Sequence, residues 1–230
     1  DGHMGSVTTQ TPAGQRAALF DLWLHTNNPY HEKFALFLLS VWTVAGDVIS
    51  DETFRGEFWD YYSRLRDSAY GNEDLRVLAL ALTRNPLMLK YLNNDLNVKD
   101  APNENYAREL MELFTLGPTG LDGSPNYTET KRDGTGDIAV AARMLTGWVT
   151  DTNYATNQLD ADFVPEQHSS GPHVMFRGKQ YEFSGDNDED LVNGIFDHHP
   201  GVRDYYAKEI LKVYVTPNPP VALVKAFAAV

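Results

Sequence analysis

One fifteen-residue segment, NENYARELMELFTLG at positions 103–117, constrains the fold more than any other part of the chain. Asn103 can cap a helix, Glu104 places negative charge in its first turn, and Gly117 can end it. Apolar residues recur at helical spacing on one face, namely Ala107, Leu110, Met111 and Phe114. The segment therefore predicts a central helix that buries this face in the core.

Charged residues four positions apart, Glu104, Arg108 and Glu112, lie on another face of the same helix. Because opposite charges attract at this spacing, they predict an intrahelical ladder of ion pairs. A buried Arg108 would clamp both carboxylates, since its planar guanidinium matches their geometry. The glutamates, together with Glu109, could instead ligate a metal as in helical bundles, but those sites also need a histidine three residues after a glutamate. Position 112 holds glutamate there, which favours the ladder.

Helical spacing also marks segments before and after this helix. The run at 31–46 has apolar side chains on nearly all sides, which predicts a buried helix ending at Gly46. Aromatic residues such as Tyr61 and Tyr62 follow on one face of the next helix, a stripe typical of a core, although such a stripe can also bind sugar rings. Helices are predicted near 17–24, 31–46, 50–68, 75–82 with a cap at Asn72, after Asn85 and Pro86, and near 137–148, 188–196, 201–215 and 221–230.

Two segments break the helical pattern. The twenty residues from Gly117, GPTGLDGSPNYTETKRDGTG, contain five glycines and two prolines, which predicts a long loop of the kind that is more often functional or mobile than neutral. The segment HVMFRGKQYEF at 173–183 predicts a β-hairpin. The chain is thus predicted to be mainly α-helical, an irregular multi-helix bundle with one long Gly/Pro loop and a small β-hairpin.

The domain organisation follows from the same patterns. Residues 1–6, DGHMGS, are typical of an expression-tag remnant. Residues 7–230 are predicted to form a single mostly helical domain, with a loop- and hairpin-rich insertion at about 150–187.

Five segments carry a resemblance to a known family, namely NPLMLKYLNN, APNENYARELMELFTLG, NYTE, ARMLTGW and HHPGVRDYYAKEILKVYV. Through them the chain resembles the bacterial domain-of-unknown-function 1800 family. The resemblance implies a mostly α-helical protein that is periplasmic, secreted or held at the cell surface. It also implies a sulfatase-like companion encoded nearby as a candidate partner. Family members are usually longer, so the resemblance further implies a fragment of a longer protein.

The chain departs from the family pattern in two places. Where members carry a Trp-His-Asn-His-Phe run, residues 38–42 read LLSVW, so both histidines are replaced. Where members carry His-Asp followed by glycine and lysine, the chain keeps His168 and Gly171 but has Ser169 and His173. These departures lead us to predict no catalytic residue.

Composition excludes several function classes. A net charge of −13 argues against nucleic-acid partners, because no basic excess is present to neutralise phosphates, and fits divalent cations or basic partners better. The absence of cysteine excludes disulfides, zinc–thiolate sites and thiol catalysis. No apolar stretch is long enough to predict a membrane span. Dinucleotide-binding, P-loop, nucleophile-elbow and HExxH motifs are also missing.

Two loop histidines, His168 and His173, are candidate metal ligands. They could hold zinc or iron if carboxylates such as Asp162 or Glu166 lie nearby. Loop histidines are, however, more often solvated or hydrogen-bonded, and that alternative stays open.

The acidic run GDNDED is a candidate calcium site, since Asp186, Asp188 and Asp190 alternate as they do in calcium loops. It lacks the glycine and the distant glutamate of an EF-hand, so it is not one. The same residues can equally be first-turn acids of the following helix. The loop LDGSPN at 121–126 is a weaker candidate of the same kind.

Two functional hypotheses result. The first is a non-catalytic interaction or scaffold module that binds a partner protein or surface polymer. Its candidate contacts are Trp59, Trp148 and Tyr181, because aromatic side chains hold ligands without a titrating group. The alternative is a metal-assisted hydrolase acting on an extracellular polymer or ester through His168, His173 and the acidic loops.

Overall fold

The computed structural model describes residues 12–44, 57–131, 134–153 and 158–230. The predicted tag remnant at 1–6, the helix end at Gly46 and the helix start near Ser50 lie outside these residues. The chain forms two compact units, one of residues 1–92 with 149–162 and the other of residues 93–148 with 163–230. A compact unit is not by itself an independently folding domain, so the single-domain organisation stays a prediction.

Unit 1 is built mainly from helices. They are α1 (Pro12–His25), α2 (Pro29–Val41), α3 (Glu57–Gly71), α4 (Leu75–Thr83) and α5 (Pro86–Tyr91), followed by strand β1 (Trp148–Asn153) paired with β2 (Gln158–Phe163). Helices α2 and α3 pack together. Tyr61 and Tyr62 are fully buried, which confirms that the aromatic stripe is core. The sequence missed this sheet because its strands, WVTDTN and QLDADF, are largely polar.

Helix starts in unit 1 follow local capping rules. The side chain of Asn85 accepts hydrogen bonds from the backbone N–H groups of Leu87 and Met88, at 3.0 and 3.4 Å, which confirms the predicted start of α5. The prediction that Asn72 caps α4 was wrong. Asn72 instead takes a left-handed conformation after α3, with φ of 50°, and Asp74 caps α4.

A buried polar network centres on Glu32 in α2. Its Oε1 accepts hydrogen bonds from Arg66 Nε at 2.7 Å and from the Tyr70 hydroxyl at 2.8 Å, and its Oε2 accepts one from Tyr62 at 3.4 Å. Burial raises the pKa of Tyr62 to about 12, despite a hydrogen bond from Trp23 that lowers it. The hydroxyl therefore stays protonated and can donate to Glu32.

Unit 2 continues the helical architecture. It contains α6 (Asn105–Glu109), a π-helix (Leu110–Thr115), α7 (Asp137–Met144), β3 (His173–Met175), β4 (Phe183–Gly185), α8 (Asp188–His198), α9 (Gly201–Tyr214) and α10 (Val221–Ala228). Strands β3 and β4 are antiparallel, with His173 opposite Gly185, which confirms the predicted hairpin. Helix α7 packs against α6.

The predicted central helix is only partly regular. Asn103 accepts a hydrogen bond from the Asn105 N–H at 3.0 Å, and α6 begins there. After Glu109 the backbone widens into the π-helix, a change that the apolar spacing did not reveal. Gly117 ends the segment with φ of 71°, a conformation that favours glycine.

The architecture as a whole confirms the fold class: mainly α-helical and irregular, with a long Gly/Pro loop and small β-hairpins. In the described part of the chain, no helix combines the length and the hydropathy that a bilayer span requires.

Candidate functional site

The π-helix and α9 of unit 2 are joined by tyrosine hydroxyls. Within the π-helix, Thr115 Oγ1 donates to the Leu110 carbonyl at 2.6 Å, five residues back. The hydroxyl of Tyr205 donates to the Leu113 carbonyl, and that of Tyr206 donates to the Phe114 carbonyl at 2.8 Å. Short π-helical turns often mark functional sites. Here α9 fixes the π-helix by satisfying its carbonyls.

The long loop that follows is folded rather than structureless. Asn126 Nδ2 donates to the carbonyls of Leu116 and Gly117, at 2.8 and 3.1 Å. The Gly120 N–H donates to the Ser124 carbonyl at 2.8 Å, closing a tight turn. Composition marked this loop as a functional candidate, but nothing in it identified Asn126 as the residue that shapes it.

His199 holds the loop against the junction of α8 and α9. Its Nδ1 accepts a hydrogen bond from the Gly201 N–H at 3.0 Å, so its Nε2 carries the proton and donates to the Asn126 carbonyl at 3.0 Å. Burial lowers the pKa of His199, although the bond to Asn126 and the charge of Asp137 oppose the shift. The ring is therefore a neutral structural group.

A first cleft, of about 350 Å³, opens where the π-helix, the loop and α9 meet. Leu113, 46% exposed, contributes apolar surface. Charges of both signs surround it, and Lys212 Nζ lies 2.6 Å from Glu209 Oε1. The first cleft is lined by Glu112, Leu113, residues 116–121, Asn126, Gly201, Asp204, Tyr205, Lys208, Glu209 and Lys212.

A second cleft, of about 320 Å³, shares Asn126 with the first. Tyr181 forms one wall, with its ring centroid 4.2 Å from that of His199 and 5.4 Å from that of Phe176. The second cleft is lined by residues 124–128, Lys131, Thr135, Asp137, Phe176, Arg177, Lys179 and Tyr181.

Asp137 ties the walls of the second cleft together. Its Oδ1 accepts a hydrogen bond from the Phe176 N–H at 2.7 Å, while its Oδ2 accepts from the N–H and the hydroxyl of Thr128 at 2.8 and 2.7 Å. Phe176 has a φ of 54°, a strained conformation that costs a non-glycine residue roughly 1–3 kcal/mol. The carboxylate of Asp137 therefore holds a strained turn at the rim of the cleft.

The charged face of the central helix has a different pairing from the predicted ladder. Arg108 lies 3.7 Å from Glu104 Oε2, as the spacing suggests, but its second carboxylate partner is Glu129, at 2.5 Å. Glu112 instead accepts a long hydrogen bond from the Tyr127 hydroxyl, at 3.5 Å. The third member of the ladder was therefore misassigned, because the π-helix moves residue 112 away from regular helical spacing.

Because its side chain is 35% exposed, Arg108 is not a buried clamp. We expect Arg108→Ala to lower the free energy of unfolding by only about 0.5–1 kcal/mol, as for other solvent-accessible pairs. Urea denaturation, with Glu104→Gln as the matched variant, measures this loss. A loss of more than about 3 kcal/mol, the size found for buried pairs, would contradict the assignment.

The predicted metal ligands divide into separate groups. His168 is buried, and its Nε2 lies 3.8 Å from Asp186 Oδ1. His173 Nε2 instead lies 2.8 Å from the Ser169 carbonyl oxygen. Across residues 12–44, 57–131, 134–153 and 158–230, no three histidine, aspartate or glutamate side chains converge as a metal site requires.

The acidic run lies at the start of α8. Asn187 caps the helix by accepting a hydrogen bond from the Asp190 N–H at 3.0 Å. Asp190 Oδ2 accepts one from the Asp186 N–H at 2.8 Å, and Asp188 is buried in the first turn. These positions suit helix-start acids. Calcium binding here stays a prediction.

The three predicted aromatic contacts are distributed over both units. Trp59 belongs to unit 1, half-buried, with its ring centroid 6.1 Å from that of Tyr62. Trp148 packs against Phe163 at 5.5 Å and lines neither cleft. Tyr181 alone lines a cleft.

The lowered pKa of His199 makes unit 2 sensitive to acid. Unfolding returns the imidazole to a pKa near 6.5, so below that pH the unfolded chain binds a proton that the folded chain excludes. Stability should therefore fall as the pH drops from about 7 toward the folded pKa, by up to about 1.4 kcal/mol for each pH unit. Urea denaturation from pH 7.5 to 5 measures the slope, which His199→Gln should flatten and the exposed His198→Gln should not.

Comparison with known proteins places the chain in one family. The family model described as a protein of unknown function, DUF1800, matches residues 6–230. Searches of curated proteins and of solved structures returned no match. The match covers nearly the whole chain, including the π-helix, the loop and both clefts, so this chain belongs to the DUF1800 family.

Proposed function

We propose that the chain is a non-catalytic interaction module that holds a segment of a partner protein in the first cleft. The family resemblance supports a site of action in the periplasm, at the cell surface or in the medium. It also supports the sulfatase-like companion as the partner. The proposal rests on what the first cleft offers to a ligand.

The observation that carries this proposal is that the polar groups of the floor are used by the fold. The Asn126 amide donates to two backbone carbonyls, and the Tyr205 hydroxyl donates to that of Leu113. Burial raises the pKa of Tyr205, so its proton is retained. The groups that remain accessible, among them Leu113, Asp204 and Lys208, can supply apolar contact area and charge to a partner.

The rim of the first cleft suits a polypeptide. Exposed Leu113 can bury apolar area against a partner side chain, which is where interface energy concentrates. Lys208, Asp204 and the Glu209–Lys212 pair place both signs of charge around it, and such charges select register and partner. The net charge of −13 favours a partner with a basic surface.

The test is titration calorimetry of this chain with the purified sulfatase-like companion. Leu113→Asp should weaken binding by about tenfold or more, because it places a charge on the apolar contact. Val213→Asp is the matched control, since Val213 is also 46% exposed but lies outside the cleft. Equal loss with both variants, or no binding to wild type, would overturn the docking assignment. If wild type binds a surface polysaccharide and Leu113→Asp abolishes that binding, the ligand of the first cleft is a polymer rather than a protein.

A metal-assisted hydrolase is the second candidate, and one observation favours it. The Nε2 atom of His168 is buried and makes no hydrogen bond within the described residues, and Asp186 Oδ1 lies 3.8 Å away. The ring's Nδ1 lies 2.9 Å from the Thr146 carbonyl, so Nδ1 can carry the proton and leave the Nε2 lone pair facing Asp186. A cation between these two atoms would satisfy both.

Two measurements separate the candidates. Metal content by mass spectrometry should be compared for wild type and His168→Ala, and both proteins should be assayed on ester, phosphate, sulfate and glycoside probes with zinc, manganese or calcium supplied. We expect no turnover. Stoichiometric metal together with turnover, both lost in His168→Ala, would establish the hydrolase instead.

A further inference from the structure

The lining of the second cleft holds more cations than carboxylates, although the chain as a whole is strongly acidic. Its lining contains three cations, Lys131, Arg177 and Lys179, against one carboxylate, Asp137, while the chain carries a net charge of −13. All three cationic side chains are exposed, and within the described residues none of them forms an ion pair. Since most cations of an acidic protein have acidic neighbours available, this grouping indicates a surface suited to an anion.

The single carboxylate of the cleft does not neutralise these cations by contact. Both oxygens of Asp137 accept hydrogen bonds from Thr128 and Phe176, and the residue is only 5% exposed. Asp137 therefore holds the walls together and leaves the rim cations to a ligand. The strained turn at Phe176, which this carboxylate holds, places Arg177 at the rim.

The cleft also has a fixed aromatic wall. The Tyr181 ring packs on both His199 and Phe176, so its orientation is set before any ligand arrives. A preset aromatic face that shares a cleft with cations suits a ring that carries a negative group, because the ring can cover the aromatic face while the anion meets the cations. The volume of about 320 Å³ limits the ligand to a small molecule.

We propose that the second cleft binds a phosphate monoester carried on a sugar-sized ring. The planar fork of Arg177 can hold two phosphate oxygens, Lys131 and Lys179 supply further positive charge, and the face of Tyr181 packs against the ring. This proposal is independent of partner docking in the first cleft, which involves a different set of charged residues. The two can therefore fail separately.

The test is titration calorimetry at an ionic strength of about 0.15 M, where the Debye length is about 8 Å, with glucose 6-phosphate, glucose and inorganic phosphate as probes. Glucose 6-phosphate should bind more tightly than inorganic phosphate, and glucose should not bind measurably. Arg177→Gln should lower the affinity for glucose 6-phosphate by about tenfold or more, because a bidentate charged contact is lost. Tyr181→Ala should lower the affinity for glucose 6-phosphate to a value close to that for inorganic phosphate. Lys208→Gln, which removes an exposed cation of the first cleft, should change the affinity by less than about twofold.

Three outcomes would overturn the proposal. Absence of glucose 6-phosphate binding removes the site. Equal losses in Arg177→Gln and Lys208→Gln would show attraction by general charge rather than a cleft. Inorganic phosphate binding as tightly as glucose 6-phosphate would remove the role of the ring and Tyr181. Arg177 is exposed, so its variant should fold, and it decides the question even if Tyr181→Ala proves unstable.

Discussion

Asp137→Ala should lower the free energy of unfolding by about 3–5 kcal/mol, the largest loss we expect from a single change in unit 2. Asp137 is 5% exposed, and its carboxylate accepts hydrogen bonds from the N–H groups of Thr128 and Phe176. Alanine would leave the buried Phe176 N–H without a partner, at a cost of about 1–3 kcal/mol, and would also remove the acceptor of the partly buried N–H and hydroxyl of Thr128. The strained Phe176 would also lose the contact that holds it.

Urea denaturation followed by circular dichroism measures this loss. Asp137→Asn preserves the shape but presents an amide N–H₂ group to neighbouring donors, so it should recover only part of the stability. Asp122→Ala is the control, because that exposed carboxylate of the same loop accepts hydrogen bonds from the N–H and the hydroxyl of Ser124, two residues along the chain. An Asp137→Ala variant within about 1 kcal/mol of wild type would show that water or a shifted loop replaces the carboxylate.

The effect on ligand binding follows from the same contacts. If Asp137 holds the turn at Phe176 and so places Arg177, the loss of the Asp137 carboxylate should lower the affinity for glucose 6-phosphate as much as Arg177→Gln does. The binding should be measured on Asp137→Asn below its unfolding transition, since that variant should retain more of the fold. Unchanged binding would show that Arg177 is placed by the hairpin alone.

Much of the fold was predictable because its signals are local. The start of α5 follows from Asn85 and Pro86, which act on the next three residues. The hairpin of β3 and β4 follows from two short apolar runs separated by a glycine-containing turn. Where a structure depends on neighbours within about four residues, the sequence pattern was sufficient.

The candidate site was less predictable because its contacts span long stretches of chain. Tyr205 and Tyr206 stabilise the π-helix from 92 positions away, and His199 reaches Asn126 across 73. Arg108 pairs with Glu129, 21 residues along the chain, rather than with the nearby Glu112. Composition identified the loop as a functional candidate, but the clefts exist only once α9 and the hairpin pack against it.

Glu32→Ala should lower the free energy of unfolding of unit 1 by about 2–4 kcal/mol. Glu32 is 2% exposed, and removing it would leave the Arg66 guanidinium and the hydroxyls of Tyr62 and Tyr70 without their acceptor. Breaking a fully buried ion pair costs about 3–5 kcal/mol, but Arg66 keeps 28% of its side chain exposed, so water should compensate in part. This places the expected loss between those of a surface pair and a buried pair.

The matched control for Glu32 is the pair between Arg64 and Glu73. Its atoms are 2.6 Å apart, the same distance as between Arg66 Nη2 and Glu32 Oε1. Both of its side chains are more than a quarter exposed, so Glu73→Ala should cost at most about 1 kcal/mol. Urea denaturation of the two variants compares two ion pairs that have the same N–O distance but differ in burial. Equal losses would show that burial of Glu32 adds nothing. A Glu32→Gln variant that loses as much as Glu32→Ala would show that charge, rather than hydrogen-bond shape, holds the network, because glutamine keeps one acceptor oxygen for Arg66.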